Sequence, residues 1–481
     1  MDNSALTRSL ISTLKGICIA TTLAFGQVAS AETTLDLTFP QARQLAFNLL
    51  LDGNAAAALE VADGLIAANA NDQRAWIIRA GALRVLEQPT LARQAARRAY
   101  WLAESPARRY EAARLAASAN ADEERFSWAQ FWLRLARENA PDEQTANRVA
   151  QDYQGLRRIN PWSFNASFGV APSANINGGS QADVGYLDDN VDEGLAAFLA
   201  FFGIYDPESG LRLLGDNERA LSGIEANLDF GAQYRLNASD TSATFISADI
   251  GIRRYRLSDE AKEQSPTSSN RDFNRDSLSF GIRHLTRLGG DLRPATFALS
   301  VGKNWYASEQ SNRYIAGNAS QPFLLDPQNL LTFGISASAS ASYSDDIPVR
   351  TFGANAQLLS ILESGDRVRS NFQILRSNSD IEDSDYVSLS AGVSYSFAQP
   401  ILGTFVTINS DAVFSNIGDT RFAPFDREDI TVSIGADVVV PQAEVFGFQP
   451  VVSVLAERTR SSVDQFDAEG VSVGLDFRSS F

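Results

Sequence analysis

Thiol chemistry has almost no place in this sequence. It contains one cysteine, Cys18, one methionine, and one histidine, His284. Cys18 lies in an N-terminal leader. Arg8 and Lys15 precede an apolar run from Gly16 to Phe25, and Ala29-Ser30-Ala31 has the small-x-small form of a cleavage site. Residues 1–31 therefore read as a secretory signal peptide, and the exported chain is expected to start at Glu32. The residues just before Cys18, Leu14 to Ile17, lack the small side chains of a lipobox, so no lipid is expected there. Cleavage removes the only cysteine, and with it disulfides, thiol catalysis and thiolate metal sites.

Long hydrophobic runs are also missing. After the leader no stretch of 18 consecutive apolar residues occurs, which excludes a transmembrane helix. Such an exported chain is either soluble or crosses a membrane as a closed barrel. Positive charge is scarce in one part only. Residues 36–160 hold 16 Arg, no Lys and 15 Asp/Glu, whereas residues 161–481 hold 23 Arg/Lys against 41 Asp/Glu. An acidic second part repels phosphate, so no nucleic-acid partner is expected.

What is present falls into two periodicities. In residues 36–158 the apolar positions recur at three and four, the helical period. Ala58, Ala62 and Leu65 are matched 34 residues on by Ala92, Ala96 and Ala99, then by Ala129, Leu133 and Ala136 with a slip of three, before Pro141. A 34-residue helical frame with small residues at close-packing positions is similar to the tetratricopeptide repeat. It predicts an α-solenoid with a groove for a peptide or protein; a compact helical bundle is the alternative. Phe126, Trp128, Phe131 and Trp132 are expected in its core, with client contacts as the alternative.

After Pro161 the period becomes two. Trp162, Phe164, Ala166, Phe168 and Val170 alternate with Ser163, Asn165, Ser167 and Gly169. Fourteen such strands can be counted, at 162–172, 222–236, 242–256, 273–286, 294–306, 313–325, 329–343, 349–362, 367–377, 386–398, 404–415, 430–440, 447–460 and 470–481. Long connectors (173–221, 257–272, 416–429) fall on one side; short ones such as Asp326-Pro327-Gln328 and Ser364-Gly365 fall on the other. That asymmetry, with aromatics near strand ends (Tyr234, Tyr255, Trp305, Tyr306, Tyr343, Tyr395), is the pattern of an outer-membrane barrel. The expected fold is thus an N-terminal tetratricopeptide-like α-solenoid, residues 36–158, followed by a 14-stranded antiparallel transmembrane β-barrel, residues 161–481. A soluble β-sandwich would alternate too. Phe477 and the terminal Phe481 form the signal that barrel-insertion machinery reads.

The junction Pro161-Trp162, then Gly169, Pro172, Asn175-Ile176-Asn177 and Ser180, resembles the first strand and first loop of the surface lipoprotein assembly modifier family. Ser222-Gly223, Trp305-Tyr306, Gly447 to Val451 and Val473 to Phe481 also fit. The apolar loop Gly194 to Gly203 and the acidic barrel depart from that pattern. The resemblance implies an outer-membrane protein-export factor of a Gram-negative bacterium. Its helical domain would lie in the periplasm, its client would be an exported protein, above all a lipoprotein, and outer-membrane lipids would surround it. Passive diffusion porin, polysaccharide exporter and barrel hydrolase are the other readings. No cofactor, metal or catalytic residue is implied, and a monomer is expected. His284 follows Leu278, Phe280 and Ile282 on one strand face and should point to lipid. The acidic runs Asp188 to Glu193 and Asp380 to Asp385 lack EF-hand spacing, leaving solvated loop tips or a calcium site. Asn175 and Asn177 are either turn formers or ties into the barrel mouth. The segment 194–203 is a plug, a partner contact or a partly buried core. Finally, the barrel must close between its first and last strands. Ser167 and Gly169 on one, and Gly474 and Asp476 on the other, are the candidate seam residues, with Ser167 and Gly474 as one example of a pair to bridge and neighbouring pairs left open because alternation does not set the register.

Overall fold

The computed structural model describes residues 37–187, 191–289, 293–343, 346–381, 383–418, 426–445 and 447–479. Residues 1–36, which include the expected signal peptide, Phe481, and Asp188, Asp189 and Glu382 of the acidic runs lie outside these residues. Seven helices come first: α1 (Phe39–Leu51), α2 (Ala55–Ala68), α3 (Gln73–Val85), α4 (Pro89–Trp101), α5 (Pro106–Asp122), α6 (Phe126–Glu138) and α7 (Glu143–Ile159). Their starts are written in local chemistry. Asp72 and Asp142 accept the backbone N–H groups of Ala75 and Thr145, and Pro89 and Pro106 occupy first-turn positions that need no donor. Each such cap contributes about 1 kcal/mol.

Every small residue of the repeat frame is buried, from Ala58 to Ala136. Alanine at these positions lets successive helices pack closely, and α1–α3 and α3–α5 touch as well as the sequential pairs. The slip of three has a plain cause: α5 has 17 residues where α1 and α3 have 13. One expectation fails here. Of the aromatics on α6, Trp132 is buried, but Trp128 and Phe131 are 53% and 45% exposed. Trp128 lies one turn before Trp132 and Phe131 rests on Trp132 at 5.8 Å, so both stand at the open edge of the stripe that Trp132 packs against Tyr100.

The barrel strands are β1 (Trp162–Ser173), β2 (Gly223–Ala238), β3 (Ser242–Leu257), β4 (Arg275–Thr286), β5 (Ala295–Tyr306), β6 (Glu309–Asp326), β7 (Asn329–Ser342), β8 (Pro348–Ile361), β9 (Arg367–Asn378), β10 (Tyr386–Ser396), β11 (Phe405–Ile417), β12 (Arg427–Val439), β13 (Phe448–Ser461) and β14 (Ala468–Ser479). They close in sequence order, each antiparallel to the next, with β14 returning to β1. Phe164, Phe168, Phe280, Phe297, Phe333, Phe352 and Phe372 stand exposed on one face of their strands. The other face carries Ser, Asn, Gly and Asp, as in the Gly231 site that lies against Asn165 and Asp249. An apolar exterior around a polar interior, with no open edge, is the membrane-spanning form of a sheet. No helix among the described residues is long and apolar enough to cross a membrane.

Pro322 sits inside β6 without harm. It opposes Thr332 of β7, but pairing with β5 stops at Thr296↔Ser320, so no ladder donor is needed on that side. One connector on the side of the long loops is short: Ala307 and Ser308 join β5 to β6 alone, both with positive φ (51° and 71°). That is the backbone of a tight hairpin turn made without the usual Asn-Gly.

Candidate functional site

The seam between β1 and β14 is the short join of the barrel. Among the described residues its register holds four pairs, Ser167↔Arg478, Phe168↔Phe477, Gly169↔Asp476 and Val170↔Leu475. On its other side β1 pairs with β2 along all twelve of its residues, and β14 pairs with β13 along twelve of its own. Toward the outer end both seam strands run on without pairing, β1 to Ser173 and β14 back to Ala468. The seam residues named from sequence are therefore brought together, with one correction. Ser167 opposes Arg478, not Gly474. A β-carbon on Gly474 would lie 3.5 Å from that of Ala171. Register, which a period of two leaves open, decides this.

Outside the seam Phe168 stacks on Phe477 at 4.9 Å and meets Phe448 at 5.6 Å. Such contacts add about 0.5–1.5 kcal/mol each beyond area burial. Inside, Gly169 leaves the space that the Asp476 carboxylate and the Asn227 amide fill; any side chain at 169 would collide with both. Phe477 thus has a seam role. Pro161 precedes β1 and Pro172 lies near its far end, and the Arg235 N–H donates to the Pro161 carbonyl at 2.8 Å.

Above the seam the first outer loop supplies what the ladder lacks. The Gln181 side-chain amide donates to the Glu469 carbonyl at 2.7 Å and accepts from the Glu469 N–H at 2.9 Å, taking the place of a missing strand residue on β14. The Ser180 hydroxyl donates to the Gln465 carbonyl at 2.6 Å, and the Tyr186 N–H donates to the Gln465 side chain at 2.8 Å. Loop residues after β1 thereby strap the β13–β14 connector to the start of the barrel. Gln181, Gln465 and Glu469 were not legible in the sequence; only the neighbouring Ser180 marked the place.

Asn177 holds the strap's base. Its amide nitrogen donates to the Asn217 and Arg219 carbonyls at 2.9 and 2.8 Å, and its oxygen accepts from the Leu221 and Gly179 N–H groups at 2.9 and 3.3 Å. Asn175 closes the local turn alone, bonding the carbonyl and N–H of Gly179. Asn177 is thus a tie and Asn175 a turn former. Beneath them Ile176, Leu221, Leu257, Ala261 and Phe273 form a small buried core with Tyr255 against it. Tyr255 belongs to this mouth core rather than to an interfacial girdle. Glu218, further along the loop, is held below the usual glutamate range by its paired hydrogen bonds to Arg212 (2.6 and 2.7 Å), with burial opposing.

Residues 193–201 form a helix, α8 (Glu193–Phe201), capped by Asp192. It has no buried residue, Ala196, Leu199 and Ala200 are half-buried, and Phe198, Phe201 and Phe202 are 57%, 83% and 59% exposed, so its aromatic side is open. Of the second acidic run, Asp385 pairs with Arg376 and Asp383 lies 3.7 Å from Arg427. His284 lies on the outer face of β4 and shares a 2.9 Å hydrogen bond with Thr244.

The helical domain is docked under this same sector. Arg137 of α6 pairs with Glu444, between β12 and β13, at 2.8 Å. Arg235 at the foot of β2 donates to the Arg158 and Ile159 carbonyls at 3.0 Å each. Asn160 links Gln130 and Ser127 of α6 to the Trp162 N–H at the foot of β1.

No family model and no curated protein matches the chain. Among solved structures, the type III secretion translocator chaperone SycD of Yersinia enterocolitica matches 26% of this chain and 88% of its own, at 18% identity and a TM-score of 0.24. An outer membrane channel from Pseudomonas putida F1 matches 66% of this chain and 95% of its own, at 9% identity and a TM-score of 0.31. LpxR from Salmonella typhimurium matches 66% and 100%, at 10% identity and a TM-score of 0.29. None of these likenesses carries a function over to this chain.

Proposed function

We propose that the chain is an outer-membrane protein-export factor. The helical domain collects a client in the periplasm, and the barrel lets it reach the cell surface along the β1–β14 seam. The observation that carries this reading is the short ladder of that seam, four pairs among the described residues, above a docked helical domain. A 14-stranded barrel lies between small barrels filled by side chains and the wide porins, so its lumen suits an extended chain better than a folded one. A lipid-bearing client gains from a sideways path, since each methylene kept in hydrocarbon saves about 0.8 kcal/mol. Backbone groups freed at an opened seam would need partners inside the bilayer, and an extended client segment can supply them by strand addition. No covalent chemistry, cofactor or metal enters this mechanism.

The test is recruitment. The chain lacking residues 36–158 should still insert, as shown by faster gel migration before boiling than after, yet no longer display a surface lipoprotein client. Normal display by that variant would remove the helical domain from the mechanism.

A further inference from the structure

The apolar exterior of the barrel does not end at the foot of β1. There Trp162 stacks on Phe164 at 5.8 Å, Trp162 meets Tyr234 at 4.8 Å, and Phe164 meets Phe230 at 6.2 Å, all on the outward face. Beside them runs a groove of about 110 Å³, walled by Trp162 and Phe164 from the barrel and by Phe131, Arg134 and Arg157 from the helical domain. Phe131 continues to Trp128 at 5.8 Å. Positions 128, 131 and 134 lie three apart and so share one face of α6. The ion pair of Arg137 with Glu444 fixes this helix against the barrel rim.

Trp128 and Phe131 are half exposed, and Phe131 shares its groove with Trp162 and Phe164 of the surface that a spanning barrel turns to lipid. The groove is too narrow for a folded partner but admits several methylene groups. Tryptophan at this level is the side chain of the membrane interface, with its ring in the acyl boundary and its N–H toward the headgroups. The arginines fit the same depth: Arg157 is exposed, and Arg134 reaches the Tyr153 hydroxyl at 3.1 Å with its stem along the groove.

We propose that α6 and the foot of β1 form one lipid-binding surface, occupied by a phospholipid of the inner leaflet. Its acyl chain lies against Trp128, Phe131 and Phe164, and its phosphate lies at Arg157. The helical domain is then a membrane-surface domain, with α6 at the interface beneath the seam. This inference rests on the barrel spanning the membrane and is independent of export.

The test uses the full exported chain in vesicles of phosphatidylethanolamine and phosphatidylglycerol. With the leader removed the chain has no cysteine, so F131C and, separately, W128C take a single spin label. E60C, on α2, is the comparison, and the gel shift on boiling verifies folding of each. Labels at 131 and 128 should collide readily with lipid-soluble oxygen and poorly with a water-soluble nickel chelate, with the label at 60 showing the reverse. Chelate access at 131 and 128 equal to that at 60 would overturn the proposal. So would shielding from both reagents, which would mean that protein covers the face.

Discussion

Replacing Asn177 with alanine separates a structural tie from a turn former. The side chain makes four hydrogen bonds, to the Asn217 and Arg219 carbonyls and from the Leu221 and Gly179 N–H groups. The carbonyl of Asn217 faces solvent and will find water. The Leu221 N–H is different: Leu221 is fully buried in the mouth core, and its own carbonyl already accepts from Ile176 at 2.7 Å. Leaving that donor unpaired costs about 1–3 kcal/mol, and the lost neutral bonds add about 1 kcal/mol. A total of roughly 2–4 kcal/mol corresponds to about 30- to 1,000-fold more frequent local opening. Hydrogen exchange measured by mass spectrometry on peptides covering 174–182 and 216–224 reads this directly. Asn175→Ala loses only its two bonds to Gly179 and should accelerate exchange less than about tenfold. Equal effects of the two substitutions would refute the distinction drawn between them.

Gln181→Ala removes the side-chain amide that pairs with Glu469 at the outer end of β14. Because water replaces it, exchange at the Glu469 amide should rise only about 3- to 10-fold, with β13 unchanged. The Glu218–Arg212 pair gives the first loop a pH dependence. Since Glu218 is depressed in the folded loop, its contribution is complete above the ordinary glutamate value of about 4.3 and is lost as pH falls through the lower folded value. Pepsin should therefore cut the first loop progressively faster as pH drops below about 4, and Glu218→Gln should flatten that profile.

The two domains were legible because their chemistry is periodic. Alanines 34 residues apart and a switch to alternation at Trp162 need no tertiary knowledge, and all fourteen strands fall within a few residues of where alternation puts them. Pro322 interrupts the sixth strand, which the alternation of short and long connectors nevertheless requires and the structure contains. The seam strands were legible as well, but their register was not. Alternation tells which face Gly474 occupies, and nothing in it tells that Ala171 rather than Ser167 lies across. The strap was harder still, since Gln181 and Glu469 are 288 residues apart and meet through a side chain acting as backbone. Trp128 and Phe131 were misjudged for a related reason: helical spacing reports that a face is apolar, not whether protein or lipid covers it.

If client leaves through an opened β1–β14 seam, a covalent lock on that seam should stop it. Cysteines at Ala171 and Gly474 would place their β-carbons 3.5 Å apart, within the roughly 3.5–4.5 Å that a disulfide spans. Surface arrival of a lipoprotein client is followed in intact cells, with the oxidised barrel confirmed by its gel migration. Oxidation should stop export and a reductant should restore it, while either single cysteine has no effect. Export at the normal rate from a fully locked barrel would contradict the seam path.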